Sequence, residues 1–180
     1  AAQNFDNGKV DYATINSTLV DKYKGKDTFK AIREGYLAYL ICNFKADTTA
    51  NKNLRHALSY AINRKDLCDN ILKDGSQPAT GFVPAQLCKS PSGKDFREES
   101  GKYVDYDVKK AQEYLDAAKK ELGTDTITVD LLYGTDESPM DTMAEYLQGS
   151  FSKLKGLKVN MVATVKKDRI YNREANGNFQ

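Results

Sequence analysis

The chain has 180 residues, long enough for one domain with a core of its own. Its 40% hydrophobic and 29% charged residues argue against a disordered chain, and a net charge of +2 from 27 basic and 25 acidic residues makes no global electrostatic case for nucleic acid. No run approaches the roughly 18 apolar residues of a membrane span. Cys42, Cys68 and Cys88 are an odd count without C-x-x-C spacing; they read as buried free thiols, with one bridge and a leftover thiol as the alternative.

The first residues include F-D-N-G-K-V-D-Y-A, where Gly8 is placed to end a helical remnant in the left-handed conformation before a short strand. Ile15 to Lys24 predicts a short helix stopped by Gly25. Thr28 to Phe44 predicts a hairpin or two successive strands turning at Glu34-Gly35. Tyr36, Ala38, Leu40 and Cys42 alternate with Leu37, Tyr39, Ile41 and Asn43, and both sets are largely apolar. That pattern predicts a strand covered on both faces. Lys45 to Ala50 is a polar connection.

Asn51 to Cys68 is the stretch around which the rest is organised. Leu54, Ala57, Leu58, Ala61 and Ile62 fall at the spacing of one buried helix face, with Asn51 as N-cap. Asn63 is a second cap and Asp66 completes an approximate capping box. The helix that follows, Arg64 to about Lys73, is expected to bury Leu67 and Ile71. Gly75 to Tyr106 holds three of the four prolines and predicts a surface loop. Asp107 caps the next helix, whose stripe is Val108, Ala111, Leu115, Ala118 and Leu122 and whose stop is Gly123. The last third predicts a β-α-β unit: a strand over Ile127 to Tyr133, a cap at Ser138 with Pro139 in the first helical position, and a stripe of Met140, Met143, Ala144, Leu147, Phe151 and Leu154. Gly156 and a parallel strand over Leu157 to Val165 complete it. A final helix spans about Asp168 to Asn176, before the start of a strand pattern at Phe179-Gln180.

Catalytic motifs are missing from the sequence: no G-x-S-x-G, P-loop or H-E-x-x-H occurs. His56 lies on the polar side of the central helix without a partner for general-base work and reads as a surface or interface residue. Asp105 and Asp107 are a spaced carboxylate pair, but capping explains Asp107 better. Gly134-Thr135-Asp136-Glu137-Ser138 joins a strand end to a helix start, where exposed amides can hold an anion; an ordinary strand-to-helix turn is the simpler reading. Tyr36, Tyr39, Tyr60 and Tyr133 read as core or core-edge residues, with one or two free to line a cleft.

Several ordered motifs carry a resemblance. Asn43 ends an apolar strand; R-H-A-L-S-Y-A-I-N-R-K follows at 55–65, and P-A-T-G-F-V-P at 78–84. Beyond them come G-K-D-F-R-E-E-S-G-K-Y at 93–103, Y-D-V-K-K-A-Q-E-Y-L at 106–115, I-T-V-D-L-L-Y, A-E-Y-L-Q and L-K-V-N. Together they resemble the solute-binding proteins of peptide ABC importers, the oligopeptide- and dipeptide-binding proteins with nickel-binding relatives, and above all the Gram-positive lipoproteins among them. The resemblance implies an α/β fold, a mixed sheet with flanking helices and a C-terminal β-α-β unit, forming one lobe of a periplasmic-binding-protein-like (type II) clamp.

Family members are far longer, so residues 1–180 are expected to be the second lobe cut from a two-lobed protein. That protein is expected to capture oligopeptides and deliver them to a permease, as a non-enzyme without cofactor or metal. The implied partners are an oligopeptide, the permease subunits and the first lobe. The implied location is extracytoplasmic, at a Gram-positive cell surface or in a periplasm, with membrane attachment only through a lipid anchor outside this chain. In the family the cleft is faced by the loop after the first strand of the β-α-β unit and by the segment after its second. The candidates carried over are Gly134, Thr135, Ser138, Lys167 and Glu174. Some relatives have Asn at the position of Gly134 and an aromatic at that of Lys167. The family's anchoring aspartate, in a D-Y-x-x-P-like motif, has no counterpart here, so the chain alone is expected to bind peptide weakly. The competing reading is a free-standing α/β interaction or regulatory module with a self-contained first strand.

Overall fold

In the computed structural model, which describes residues 1–32 and 34–180, the chain opens with two short helices, α1 (Ala2–Asp6) and α2 (Ser17–Tyr23). Gly8 follows α1 at φ 67°, a conformation that costs a residue without a β-carbon little. Tyr23 is the buried residue of α2, and its hydroxyl donates to Asp6 (2.7 Å), tying the two helices together.

Residues 29–43 depart from expectation. One position of the expected hairpin, 33, lies outside the described residues; the rest of the stretch is irregular, with no ladder and no turn at Glu34-Gly35. Nor is it covered on both faces: Tyr36 is 84% exposed, and Tyr39, Leu40 and Ile41 are exposed as well. The reason is physical. Alternating apolar residues favour an extended backbone, but a ladder needs a partner strand, and among the described residues none lies alongside.

The connection that follows contains a single turn, α3 (Asp47–Ala50). Helix α4 (Lys52–Ala61) then forms as the pattern dictates. The side chain of Asn51 accepts the Leu54 amide at 3.0 Å, and Leu54, Ala57, Leu58 and Ala61 are buried. Asn63 accepts the Asp66 amide at 3.1 Å and starts α5 (Arg64–Asp66), which runs on as a π-helical segment, Leu67–Leu72. The wider turn moves the buried stripe to Leu67, Cys68 and Leu72, so Ile71, expected in the core, is 36% exposed. The Asp66 carboxylate does not close the capping box; it accepts from Asn70 and Tyr146.

Residues 75–106 are mostly irregular, as expected, but include α6 (Phe96–Ser100), capped by Asp95. Helix α7 (Val108–Leu122) starts where Asp107 accepts the Lys110 amide (3.0 Å) and stops at Gly123, φ 67°. Strand β1 (Ile127–Gly134), helix α8 (Met140–Phe151) and strand β2 (Leu157–Thr164) form the β-α-β unit, with Ile127 opposite Leu157 and Gly134 opposite Thr164 in a parallel ladder. Among the described residues this pair is the whole sheet, so the mixed sheet reduces to two parallel strands. Ser138 does not cap α8 and Pro139 is not its first helical residue. The Pro139 carbonyl takes the Met143 amide (3.0 Å), which makes Pro139 itself the N-cap. Helix α9 (Lys166–Asp168) starts two residues early and continues as a π-helical segment, Arg169–Glu174, before Gly177.

The core lies where α4, α7 and α8 meet one face of the sheet, around Leu54, Leu115, Phe151, Leu154 and Ile127. Burying these side chains supplies the main driving force, on the order of 2 kcal/mol each. His56 stacks on Tyr114 (4.9 Å), and Tyr60 on the same ring (5.5 Å), so the polar side of α4 is an interface with α7. Cys68 is buried, Cys42 half-buried and Cys88 exposed; all three are free thiols.

Candidate functional site

The parallel register fixes the first part of the site. Gly134 and Thr164 are paired, so the segments that follow them leave the same end of the sheet. Thr135 extends the ladder by one step, its amide bonding the Thr164 carbonyl at 2.8 Å and its hydroxyl reaching the same oxygen at 3.2 Å. The Lys166 amide donates to Asp136 (2.6 Å) and the Met140 amide to the Glu137 carbonyl (2.6 Å). These amides are therefore engaged within the protein.

Glu137 turns back beneath this loop and is nearly buried. It accepts from Arg169 Nε (3.0 Å) and Nη2 (2.8 Å), and Lys166 Nζ stands at 3.2 Å. Glu174 pairs with Arg169 Nη1. Burial opposes ionisation of Glu137, but the bonds from Arg169 and Lys166 outweigh it and hold the carboxyl below the usual range. Burial likewise opposes the charge of Arg169, and its two carboxylates raise its pKa on balance. Gly134 has a steric reason to be glycine: a β-carbon there would collide with the Glu137 carboxylate. The carried-over residues are thus separated. Gly134 is buried and, like Glu174, lies on the cleft described next, whereas Thr135, Ser138 and Lys167 are exposed and do not line it. The Glu137–Arg169 pair was not among the candidates; the expected parallel pairing would have pointed to it, since both residues follow the same sheet end.

The cleft, about 1680 Å³, opens between β1, α4 and the irregular segments 28–32, 34–42 and 74–85. It is larger than the few hundred cubic ångströms of ordinary small-molecule pockets. Leu132 and Tyr133 of β1 form one wall and Tyr39 and Phe82 another, in edge contact at 5.4 Å. At one end the last residues enter it: Gln180 Oε1 accepts the Asp130 amide (2.7 Å), and the Gln180 carbonyl accepts the Asn43 amide. The Asn43 side chain donates to the carbonyls of Gly177 (3.0 Å) and Phe179 (2.8 Å). Among the described residues there is no group of His, Cys, Asp and Glu side chains that could hold a metal, and no helix long and apolar enough to cross a membrane.

Known proteins are similar to this chain both in sequence and in fold. A dipeptide-binding protein of Lactococcus lactis subsp. cremoris (strain MG1363) is 32% identical over 189 residues, matching 99% of this chain but 34% of its own length. The structure of the pheromone receptor PrgZ superposes with a TM-score of 0.85 at 30% identity, covering 99% of this chain and 36% of that one. The oligopeptide ABC transporter substrate-binding domain from Bacillus anthracis str. Ames gives a TM-score of 0.79 at 30% identity over 98% of this chain and 35% of its own. The chain spans about a third of the length of these relatives. The profile of the bacterial extracellular solute-binding proteins, family 5 (middle region), matches residues 1–180 throughout. The chain belongs to the family 5 bacterial extracellular solute-binding proteins.

Proposed function

We propose that this chain is the second lobe of a two-lobed, extracytoplasmic binding component of an ABC importer. The whole protein captures oligopeptides between its lobes, hands them to the permease subunits and performs no catalysis. A lipid anchor outside this chain holds it at the cell surface. The carrying observation is the open cleft together with its unfinished wall. Among the described residues, no backbone group of 30–32 or 34–42 makes a hydrogen bond, although the stretch is largely apolar. Backbone donors and acceptors beside apolar surface call for a partner. A free-standing module calls for a self-contained first strand, and this one is not. The relatives' names, a dipeptide-binding protein and an oligopeptide transporter's substrate-binding domain, support a peptide as cargo.

Native mass spectrometry of this chain beside a protein extended through both lobes, each offered a mixed peptide pool, tests the reading. Peptides are expected on the extended protein and largely absent from the 180-residue chain. If neither retains peptide, the transport reading fails; retention by the short chain places the whole site within this lobe and removes the half-site argument.

A further inference from the structure

The irregular wall of the cleft carries a cation whose charge the fold leaves without a carboxylate. Arg97 folds back over the end of α6, where Nη2 donates to Ser100 Oγ and to the Gly101 carbonyl (2.6 Å). Its Nε is buried and has no acceptor, the one such side-chain atom among the described residues. Nη1 lies against Gly81, where a β-carbon would run into the guanidinium. The ring of Tyr103 stands 5.2 Å from the guanidinium carbon, and the Tyr103 amide bonds the Thr80 carbonyl (2.9 Å). Among the described residues, the arginines in ion pairs are Arg169 and Arg173; Arg97 is in none. Arg55 and Arg64 also line the cleft, but their guanidiniums close on main-chain carbonyls and leave no buried nitrogen orphaned.

One neutral carbonyl and a hydroxyl solvate the half-buried guanidinium without cancelling its charge. The planar fork matches a carboxylate in bidentate geometry, and a carboxylate is the anion a peptide carries. Phe82 and Tyr103, more than two-thirds exposed and both on the cleft, offer apolar surface beside it for the chain that carries the carboxylate. We propose that Arg97 anchors a carboxylate of the peptide held in the cleft and that Gly81 gives its guanidinium the room to do so. The proposal rests on the peptide-binding reading above and adds to it a specificity-determining residue.

The test uses the two-lobed protein, with Arg97→Gln, Arg97→Lys and Gly81→Ala, and calorimetric titration of short synthetic peptides. One matched pair differs as free acid against C-terminal amide, a second as glutamate against glutamine at an inner position. The unaltered protein is expected to prefer the carboxylate member of one pair by about tenfold or more, and that pair identifies which carboxylate is held. Arg97→Gln removes the preference, and Arg97→Lys weakens it by keeping the charge without the fork. An arginine that only ties off α6 would lower the affinity for both members alike. Should Arg97→Gln fail to fold, Gly81→Ala decides, since it displaces the fork and keeps the charge; an undiminished preference there overturns the proposal. Peptide binding with no preference in either pair overturns the anchor alone. No peptide binding at all overturns the peptide reading and the anchor with it.

Discussion

Tyr146 shows how a single hydroxyl makes stability depend on pH. It sits on α8 and reaches Asp66 Oδ2 (2.8 Å) and the Asn63 carbonyl (3.1 Å), joining α8 to the start of α5. Burial, followed by the neighbouring Asp66 carboxylate, pushes its pKa up to about 12. Ionisation is therefore easier in the unfolded chain. The stability this adds is complete below about pH 10 and is lost as the pH climbs from there toward 12. Asp66 works in the opposite sense. Bonds from Asn70 and then Tyr146 lower its pKa, so its share is present above the ordinary carboxylate range and is lost in acid. Tyr146→Phe is expected to cost about 1–2 kcal/mol at neutral pH. Urea denaturation of both proteins from pH 7 to 11 should show the gap narrowing above pH 10. A gap that stays constant would mean that the hydroxyl's contact contributes nothing specific to the neutral form.

Among the elements, α4 and α7 carry the core, and both were legible in the sequence. Their caps are local, with Asn51 and Asp107 each holding an amide three residues on, and their stripes follow from periodicity. Leu54 and Leu115 have no exposed surface. Leu54→Ala or Leu115→Ala is expected to cost about 2–5 kcal/mol, transfer and cavity terms together. A thermal melt unchanged by either would show that the neighbouring side chains close the cavity. What was not legible depends on partners far along the chain. The π-helical turn at Leu67–Leu72, which packs against α8, moved Ile71 out of the core, and no local signal marks such a turn. Glu137 and Arg169, 32 residues apart, meet through the register of two parallel strands, so the pair was within reach only by way of the expected strand pairing and not from any local signal. The candidate site was legible only in part for the same reason: Gly134 and Glu174 reach the cleft, while the outward direction of Thr135, Ser138 and Lys167 depends on how the loops fold back.

The molecule is well packed where α4, α7, α8 and the two strands meet, and open toward residues 34–44. Tyr36, Tyr39, Ile41 and Phe44 are exposed together, a patch of the kind that marks a surface normally covered. Hydrogen exchange gives this a direct reading. Amides from 34 to 42 are expected to exchange at nearly unprotected rates in the 180-residue chain and, on the two-lobed reading proposed above, to slow by orders of magnitude in the longer protein. Equal rates in both would show that the rest of the protein never covers this stretch.

Asn43 also bears on how such a chain is made. Its side chain closes on Gly177 and Phe179, 134 and 136 residues further along. A polypeptide leaving the ribosome N-terminus first exposes the sticky stretch before Asn43 long before the carbonyls that pin it have been synthesised. Contacts of such long range form late and leave apolar segments open to mispairing in the interval. The stretch before Asn43 therefore stays unpinned until residues 177 to 179 have been made, and that interval is when a holding chaperone can still engage it unfolded.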